Sequence, residues 1–358
     1  MVTAVLFDMD GVLIESERYI NQAAIQFFAR RGVAVKPDDF IPFVGSGEDR
    51  YIGGVAELYG IEVDLEQAKV ETYGIYEHLI ETSSDAFLPV HRFLQNLYQA
   101  GIPMAVATSA DRMKLDINLR VASLDTNWFK ALVHGKDVKK KKPFPDIYQL
   151  AAKRLGVDIA TCIVFEDALN GIQAAKAAGA LCVGVTTSFT AAQLRAAGAD
   201  AVIDTFEEIE DFSTSVEFEH LLLLMRARSA ATAARENAYT PYSHFNVGAA
   251  VVSAQTGAIY SGCNVENSSY GATICAERGA IMKAVSMEKD FNAALVVVVS
   301  DDKPPAPPCA VCLQVLAEFC QVETEVVLYD LHDACVRYTF KELLPHPFIF
   351  PTQRGKQK

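Results

Sequence analysis

The sequence of 358 residues has few aromatic residues, 9% in all with a single tryptophan, and fewer basic residues than acidic ones. Its 32 Lys and Arg against 45 Asp and Glu give a formal net charge of -13. Tight binding to nucleic acid depends on clustered basic residues, and binding to single strands adds aromatic rings on which bases stack. The composition therefore argues against a nucleic-acid partner, with four consecutive lysines at 139–142 as a local exception.

The sequence also lacks a basic N-terminal region, a long apolar run and any regular spacing of its eight cysteines. Residues 5–7 already read as a buried strand, so we expect neither a signal peptide nor a membrane contact. Irregularly spaced cysteines favour free thiols in a reducing compartment, and hence a cytoplasmic protein, over a disulfide framework. A chain of this length predicts two or three compact units, and the motifs fall into two separate sets.

Polar residues that follow strand-like apolar segments form the first set: Asp8 and Asp10 after residues 4–7, Thr108 after 104–107, Lys142 before Pro143, and Glu166 with Asp167 after 163–165. In an open parallel sheet, ligands bind beyond the carboxyl ends of the strands, so these side chains are expected to converge on one site. Alternation points Asp8 and Asp10 in the same direction, where they would share a magnesium ion or divide the roles of nucleophile and acid. The alternatives are an acidic turn for this pair and one solvated lysine among four for Lys142.

The second set is Cys275, Glu277, Cys309 and Cys312. Zinc that activates a water needs three protein ligands and an open fourth position, and three thiolates meet that need. The start of a helix would bring Cys309 and Cys312, at i and i+3, to one metal and would favour their negative charge. Glu277 is then free to move protons, a pattern typical of zinc-dependent base deaminases. The alternatives are buried structural thiols, or a structural zinc completed by Cys263, Cys320, Cys335 or His244.

In the order of its first motifs the chain resembles the haloacid dehalogenase-like phosphohydrolases of the beta-phosphoglucomutase type, over about its first 210 residues. The resemblance implies that Asp8 is a nucleophile that forms an aspartyl-phosphate, and that Asp10 is the general acid and base. It also implies that Thr108 binds the transferring phosphoryl group, that Lys142 orients Asp8, and that Mg2+ is held by Asp8, Asp10, Glu166 and Asp167. A metal and an ammonium suit this chemistry because the phosphoryl group develops negative charge.

Helical periodicity between the first two motifs, as at 20–28 and 65–80, predicts an inserted helical cap at residues 15–85. In the resembling family such a cap closes over small soluble substrates, and one of its loops selects them. Here that loop is expected at 43–50, where Arg50 would meet a phosphate or a sugar. A surface turn with a solvated arginine is an equal alternative.

From about residue 217 to 350 the chain resembles the cytidine deaminases of free nucleosides, through residues 239–250 and 264–267 as well as the zinc motif. The resemblance implies that Phe245 stacks on the pyrimidine and that Asn264 and Glu266 bind the ribose. It also implies that Phe348 enters the active site of a neighbouring subunit in a homotetramer or dimer. A core phenylalanine, a polar turn and a locally packed C-terminal aromatic are the alternatives.

Two residues depart from the deaminase pattern. The family commonly shows Cys-Gly-x-Cys-Arg-Gln, and this chain has Ala310 and Leu313 in place of the glycine and the arginine. The loss of a cation beside three thiolates would alter the metal site or subunit contacts, and Arg278 is available to compensate. We therefore expect an active site with altered rate or stability.

These observations predict an α/β fold in two parts. The first is a Rossmann-like haloacid dehalogenase core with an inserted helical cap, and the second is a three-layer α/β/α deaminase domain. The expected boundaries are 1–14 with 86–211 for the core, 15–85 for the cap, 212–216 for a linker, 217–350 for the deaminase domain and 351–358 for a flexible tail.

The predicted function is a bifunctional enzyme that deaminates cytidine or deoxycytidine with zinc and hydrolyses a small phosphate ester with Mg2+. Its expected partners are nucleoside and phosphate-ester substrates and further copies of the chain. One alternative makes the N-terminal half a non-catalytic module that regulates or assembles the deaminase, and another makes it a phosphomutase. The weakest alternative, a deaminase that edits polynucleotides, conflicts with the acidic composition.

Overall fold

A computed structural model describes residues 2–43, 48–83, 88–331 and 334–348 of the chain. The chain divides into two compact units, residues 1–221 and 222–358. The predicted tail at 351–358 and residues 44–47 of the predicted selecting loop lie outside the described residues. The domain boundaries expected from the sequence stay predictions. Among the described helices, none combines the length and the apolar character needed to cross a bilayer.

The first unit contains a parallel sheet of six strands in the order β3-β2-β1-β4-β5-β6. The strands are β1 Ala4–Phe7, β2 Met104–Ala107, β3 Phe129–Val133, β4 Cys162–Glu166, β5 Leu181–Val185 and β6 Ala201–Ile203. Parallel strands covered on both faces read as unbroken apolar runs, and β1, β2 and β4 are buried at every position. The ring of Phe7 stacks on Phe165 at 5.4 Å on one face, whereas Leu6 and Val164 belong to the core of the other face.

Helices cover this sheet and form the insertion between β1 and β2. They are α1 Glu17–Ala29, α2 Glu48–Leu58, α3 Leu65–Glu81, α4 His91–Gln99, α5 Arg112–Val121, α6 Asp146–Leu155, α7 Leu169–Ala178 and α8 Ala191–Ala196. We call α1, α2 and α3 the cap helices. In α1, the spacing of Ile20, Ala23 and Phe27 makes one apolar stripe, and all three residues are buried. Both helical segments predicted for the cap, near 20–28 and 65–80, are thus present.

The second unit contains a mixed sheet of five strands in the order β11-β10-β9-β7-β8. Its elements, together with the helix that leads into it, are α9 Ser215–Arg235, β7 Val247–Ser253, β8 Ile259–Cys263, α10 Ala276–Met287, β9 Ala293–Ser300, α11 Ala310–Leu316, β10 Cys320–Tyr329, β11 Cys335–Thr339 and α12 Phe340–Leu343. Alternation along β7 sends Val251 to a core shared with α10 and Val252 to a core shared with α9. The sheet therefore lies between two helical layers, which confirms the predicted α/β/α class.

Two candidate active sites

The first candidate site lies at the carboxyl edge of the parallel sheet. Asp8 directly follows β1, Thr108 follows β2, and Glu166 is the last residue of β4. Because β1 pairs with both β2 and β4, the three residues emerge side by side. A single cavity at this edge is lined by all six residues predicted for phosphoryl transfer: Asp8, Asp10, Thr108, Lys142, Glu166 and Asp167.

Lys142 joins two carboxylates in the wall of this cavity. Its Nζ lies 2.6 Å from Asp8 Oδ1 and 2.5 Å from Glu166 Oε1, and its side chain is 4% exposed. Burial acts to lower the pKa of Lys142, but the two carboxylates outweigh it and hold that pKa above its ordinary value. Burial raises the pKa of Asp8 to about 7, with Lys142 opposing the rise and Glu166 adding to it. Lys142 is therefore a buried cation fixed beside Asp8, not a solvated lysine.

Asp8, Glu166 and Asp167 form an oxygen cluster in which one oxygen from each residue lies within 4.8 Å of the others. All three residues are buried. Burial, together with the charges of Glu166 and Asp8, raises the pKa of Asp167 well above its ordinary value. Crowded carboxylates of this kind are stabilised by a divalent cation, and Mg2+ prefers oxygen ligands. The donor set therefore fits Mg2+.

Among the described residues this cluster does not include Asp10, which the sequence predicts as a further magnesium ligand. Asp10 Oδ1 instead accepts hydrogen bonds from Ser16, from Lys114 Nζ at 3.0 Å and from Asn118 Nδ2 at 3.1 Å. Burial acts to raise the pKa of Asp10, but Lys114 and these hydrogen bonds outweigh it and lower that pKa. Helix α5 thus supplies two of the donors that hold this carboxylate, and the predicted part of Asp10 in binding Mg2+ stays a prediction.

Arg50 is not among the residues that line the cavity. It lies on α2, where its guanidinium is 3.5 Å from Glu57 and 5.4 Å from the centre of the Phe43 ring. Its side chain is 57% exposed, as expected for a solvated arginine. Its predicted part in substrate selection stays a prediction.

The second candidate site lies where helices α10 and α11 begin. Cys275 is the residue before α10 and Cys309 is the residue before α11, so both thiols stand at helix N-termini. Cys312 follows in the first turn of α11, and the sulfurs of the three cysteines lie within 4.8 Å of one another. The structure thus brings together the three cysteines that the sequence predicts as zinc ligands.

Glu277 is buried beside these sulfurs, with its Oε2 3.4 Å from Cys312 Sγ. Burial raises the pKa of Glu277, which suits the carboxyl to proton exchange. Hydrogen bonds from Cys312 and Arg278 lower the pKa of the Cys275 thiol to about 5. Arg278 is held in place by the Thr273 carbonyl, to which it donates at 2.6 Å, and it lies 3.6 Å from Cys275 Sγ.

No fourth His, Cys, Asp or Glu joins the three sulfurs in the part of the chain that the structure describes. Cys320 is buried in the core of the unit, Cys263 lies 3.6 Å from the Asn237 carbonyl, and Cys335 lies on β11. Three is the number of protein ligands that a catalytic zinc site uses. The donor set therefore fits zinc.

Asn264 and Glu266 lie on a short extended segment that runs beside these ligands. Val265, between them, exchanges backbone hydrogen bonds with Ile274, and Ile274 directly precedes Cys275. The pairing explains how residues that are distant from the cysteines in sequence reach the neighbourhood of the sulfur cluster.

The side chains of Asn264 and Glu266 hold the loop that carries Phe245. Asn264 accepts from the N–H of Val247 at 2.9 Å and donates to the Phe245 carbonyl at 2.8 Å. Glu266 accepts from the N–H of Tyr242 at 2.9 Å and from the next N–H at 3.2 Å. Their contacts thus shape this loop, whereas the predicted contacts with ribose, and the stacking of Phe245 on a base, stay predictions.

The ring of Phe348 is exposed, and hydrogen bonds hold both the backbone N–H and the backbone carbonyl of this residue. Gln314 accepts from the Phe348 N–H at 3.1 Å and donates to the Phe348 carbonyl at 2.8 Å. Leu313 is partly buried and packs against the core of the unit, which accounts for an apolar residue at this position. The predicted entry of Phe348 into a neighbouring subunit stays a prediction.

Sequence reasoning does not identify several residues that support the first site. A Cβ atom on Gly11 would lie 2.0 Å from Asp167 Oδ2, so only glycine fits there. Ser188 donates to Asp167, and the Tyr148 hydroxyl donates to Glu166 Oε1 at 2.7 Å. The glycine after the two aspartates is a visible signal of a close backbone approach. The serine and the tyrosine have no local signal, because they come from segments distant in sequence.

Two family models match separate segments of the chain. Residues 5–185 match the model described as haloacid dehalogenase-like hydrolase. Residues 224–329 match the model described as cytidine and deoxycytidylate deaminase zinc-binding region.

Individual relatives agree with these two matches. The chain is 48% identical to the cytidine deaminase of Halalkalibacterium halodurans over 115 residues, 32% of this chain and 86% of that protein. It is 33% identical to the validoxylamine A 7'-phosphate phosphatase of Streptomyces hygroscopicus subsp. limoneus over 211 residues, 58% of this chain and 96% of that protein.

Another relative and one solved structure match a similar share of the chain. Protein SUPPRESSOR OF QUENCHING 1, chloroplastic, of Arabidopsis thaliana is 41% identical over 211 residues, which are 58% of this chain but 20% of that protein. The crystal structure of CbbY from Rhodobacter sphaeroides in complex with xylulose 1,5-bisphosphate has a TM-score of 0.51 and 25% identity, over 61% of this chain and 99% of that one.

Proposed function

Because the chain belongs to the haloacid dehalogenase-like hydrolases through residues 5–185 and to the cytidine deaminases through residues 224–329, we propose that it joins two hydrolytic activities in one polypeptide. The first is Mg2+-dependent hydrolysis of a small phosphate monoester. The second is deamination of cytidine or deoxycytidine to uridine or deoxyuridine and ammonia. The observation that supports the proposal most directly is the cluster of three cysteine sulfurs with Glu277 buried 3.4 Å from one of them.

In the proposed deamination, Glu277 moves the protons while the cysteines hold the metal. Zinc bound by three thiolates supplies a Lewis acid that activates a water against the ring carbon bearing the amine. Glu277, buried and with a raised pKa, takes a proton from the water and delivers it to the adjacent ring nitrogen. Glu277 then takes the remaining proton from the added hydroxyl and gives it to the amine, so that the bond from the ring carbon to the amine breaks, ammonia leaves and a carbonyl forms. Arg278, 3.6 Å from Cys275 Sγ, offsets part of the negative charge of the thiolates.

In the proposed phosphate release, an Asp8 oxygen forms a bond to phosphorus while the bond to the ester oxygen breaks. Asp10 gives a proton to the departing alcohol, and then takes a proton from the water that cleaves the aspartyl-phosphate. Lys142, 2.6 Å from Asp8, stabilises the negative charge on the phosphoryl oxygens, and the Thr108 hydroxyl binds the group. Mg2+ bound by Asp8, Glu166 and Asp167 supplies further positive charge.

Both proposed substrates are small molecules. The Streptomyces relative is named for a phosphate ester, and the solved CbbY structure contains a sugar bisphosphate. We therefore propose a small phosphate ester for the first site. A pyrimidine nucleoside monophosphate is attractive because its dephosphorylation would release the nucleoside that the second site consumes. The two steps would then serve pyrimidine salvage in the cytoplasm.

A two-substrate assay tests this proposal. The zinc-loaded chain is incubated with CMP and Mg2+, with cytidine as a parallel control, and cytidine, uridine and phosphate are followed over time. Conversion of CMP through cytidine to uridine supports both activities and their coupling. If uridine forms only from the cytidine control, the result supports the deaminase activity but not hydrolysis of CMP. No phosphate from a broad panel of esters would favour a non-catalytic N-terminal module.

We further propose that copies of the chain associate through the deaminase domain as a homotetramer or dimer. The exposed ring of Phe348, on a backbone held by Gln314, supports this because a fixed aromatic ring at a surface suits a subunit contact. Sedimentation of the intact chain and of Phe348→Ala tests it. A monomeric intact chain would contradict the proposal.

A further inference from the structure

Asp301 lies opposite the loop that carries Phe245. Strands β7 and β9 run antiparallel, and Val247, the first residue of β7, pairs with Ser300, the last residue of β9. The next residues beyond this pair, Asn246 and Asp301, therefore face each other at the end of the ladder. Asp301 Oδ2 accepts a hydrogen bond from the Asn246 N–H at 3.3 Å. A carboxylate thus holds the residue that follows Phe245.

Arg235 holds the other oxygen of Asp301. Its guanidinium donates from Nε to Asp301 Oδ1 at 2.7 Å, and from a second nitrogen to the same oxygen. Arg235 ends α9, and this helix can approach β7 because a Cβ atom on Gly248 would lie 2.0 Å from the Ala231 carbonyl oxygen. The side chain of Arg235 is 16% exposed and that of Asp301 is 30% exposed. A partly buried pair of this kind is less weakened by solvent than an ion pair at an open surface.

Asp301 also begins the segment that leads to two of the three cysteines. The segment runs from residue 301 to Cys309, which directly precedes α11. Within it, the Ala306 N–H donates to Ser300 Oγ at 3.0 Å, which fixes the segment to the end of β9. Asp301 therefore connects two parts of the second site, the loop with Phe245 and the segment with Cys309.

We propose that Asp301 and Arg235 are positioning residues for the deaminase, and that they set where the loop with Phe245 stands relative to the cysteine cluster. The inference rests on the proposed deaminase function and goes beyond it, because the proposed reaction uses neither residue. The Phe245 N–H donates to Ser243 Oγ at 3.1 Å within the loop, and Asn264 binds the loop from the neighbouring extended segment. Asp301 adds the connection to the segment that carries the metal ligands. Without Asp301 the loop keeps its other contacts and loses its fixed place beside that segment.

Asp301→Ala removes this connection and leaves the three cysteines and Glu277 in place. We expect KM for cytidine to rise about tenfold with kcat within about twofold of the wild type, because a displaced loop weakens binding in the ground state and the transition state alike. The zinc content should equal that of the wild type. Asp301→Asn keeps an oxygen that accepts from the Asn246 N–H but loses the charge that attracts Arg235, so its KM should rise by about twofold to fivefold.

Arg235→Gln tests the pair. It should raise KM as Asp301→Asn does, and adding it to Asp301→Ala should cost no more than Asp301→Ala alone, because both residues act through one contact. Amide hydrogen exchange at Asn246 supplies a second readout, and its protection should fall in each variant. Glu325→Gln is the matched control: it breaks an ion pair on β10 beside Leu295, five positions before the end of β9, and should leave KM unchanged.

Loss of zinc from Asp301→Ala, or a fall in kcat with KM unchanged, would overturn the inference and make Asp301 a support of the metal ligands. Additive losses in the double variant would also overturn it. Variants with the KM of an active wild type would overturn the inference alone. A wild-type chain that forms no uridine from cytidine overturns the proposed deaminase function, and the inference with it.

Discussion

Gly171 approaches Glu166 so closely that a Cβ atom on the glycine would lie 1.7 Å from Glu166 Oε1. Gly171 belongs to the first turn of α7. The same carboxylate oxygen receives Lys142 Nζ at 2.5 Å and the Tyr148 hydroxyl at 2.7 Å. The space that Glu166 occupies therefore exists because Gly171 has no side chain, and the position of Lys142 beside Asp8 depends on that space.

Gly171→Ala should therefore disable the first site. The added methyl group must push Glu166 away, and a shift of about 1 Å in such a site can cost about 100-fold in rate. Phosphate release should fall by at least that factor while deamination stays unchanged. Gly74→Ala, on α3 with open space around the added Cβ, is the matched control, and it should keep full activity and gain about 0.5–1 kcal/mol of stability. Full phosphate release by Gly171→Ala would show that the site tolerates displacement of Glu166.

Asp8→Asn should separate the two activities. The amide has the size of the carboxylate but is not a nucleophile, so the aspartyl-phosphate cannot form and phosphate release should fall by a factor on the order of 1,000 or more. Deamination of cytidine by the same preparation serves as the internal control and should not change. Phosphate release that survives in Asp8→Asn would have to come from a different nucleophile, and the proposed role of Asp8 would be abandoned.

Glu277→Gln should produce the opposite separation. Loss of the proton-transferring carboxyl should slow deamination by about 100-fold to 10,000-fold. The three cysteines remain, so the zinc content measured by atomic emission should equal that of the wild type. Glu323→Gln, an exposed glutamate on β10, is the control. If Glu277→Gln lost its zinc as well, the carboxyl would have to be assigned to metal binding instead.

Much of both sites could be predicted from the sequence, because many of the functional residues lie beside recognisable patterns such as the end of an apolar strand. Asp8, Thr108 and Glu166 each end or follow an apolar strand, and parallel strands bring their carboxyl ends to one edge. The zinc site could be predicted from the spacing of Cys309 and Cys312 and from the position of Glu277 two residues after Cys275. Membership of both families, predicted from these motifs, is confirmed by the matches of residues 5–185 and 224–329.

The contacts that support these site residues could not be predicted, because they depend on which distant segments pack together. Tyr76 meets Asn118 only through the contact of α3 with α5, and nothing in either segment indicates it. Two of the three donors to Asp10, Lys114 and Asn118, come from that same helix α5, and the third, Ser16, precedes α1. Glu266 bonds to backbone N–H groups that become its neighbours only through the fold of the loop.

The two sites should differ in how fast they lose their metal to a chelator. Mg2+ held by carboxylates exchanges readily, so a short treatment with EDTA should stop phosphate release, and added Mg2+ should restore it. Zinc held by three thiolates is bound far more tightly, so deamination should persist through the same treatment and fail only after prolonged exposure to a zinc chelator. The two activities are followed in parallel on one sample. Simultaneous loss of both activities would contradict separate metal sites.

Arg278→Gln should weaken the hold on zinc. The guanidinium lies 3.6 Å from Cys275 Sγ and is fixed by the Thr273 carbonyl, and a cation at this position stabilises the thiolates that bind the metal. Its removal should raise the equilibrium loss of zinc to a competing chelator by about tenfold to 100-fold, read from the absorbance of a zinc-binding dye. Lys283→Gln, an exposed position on the same helix α10, removes one positive charge at a distance from the sulfurs and should leave the zinc affinity unchanged. Equal zinc loss from both variants would trace the effect to net charge, whereas loss confined to Arg278→Gln would assign it to the contact with Cys275.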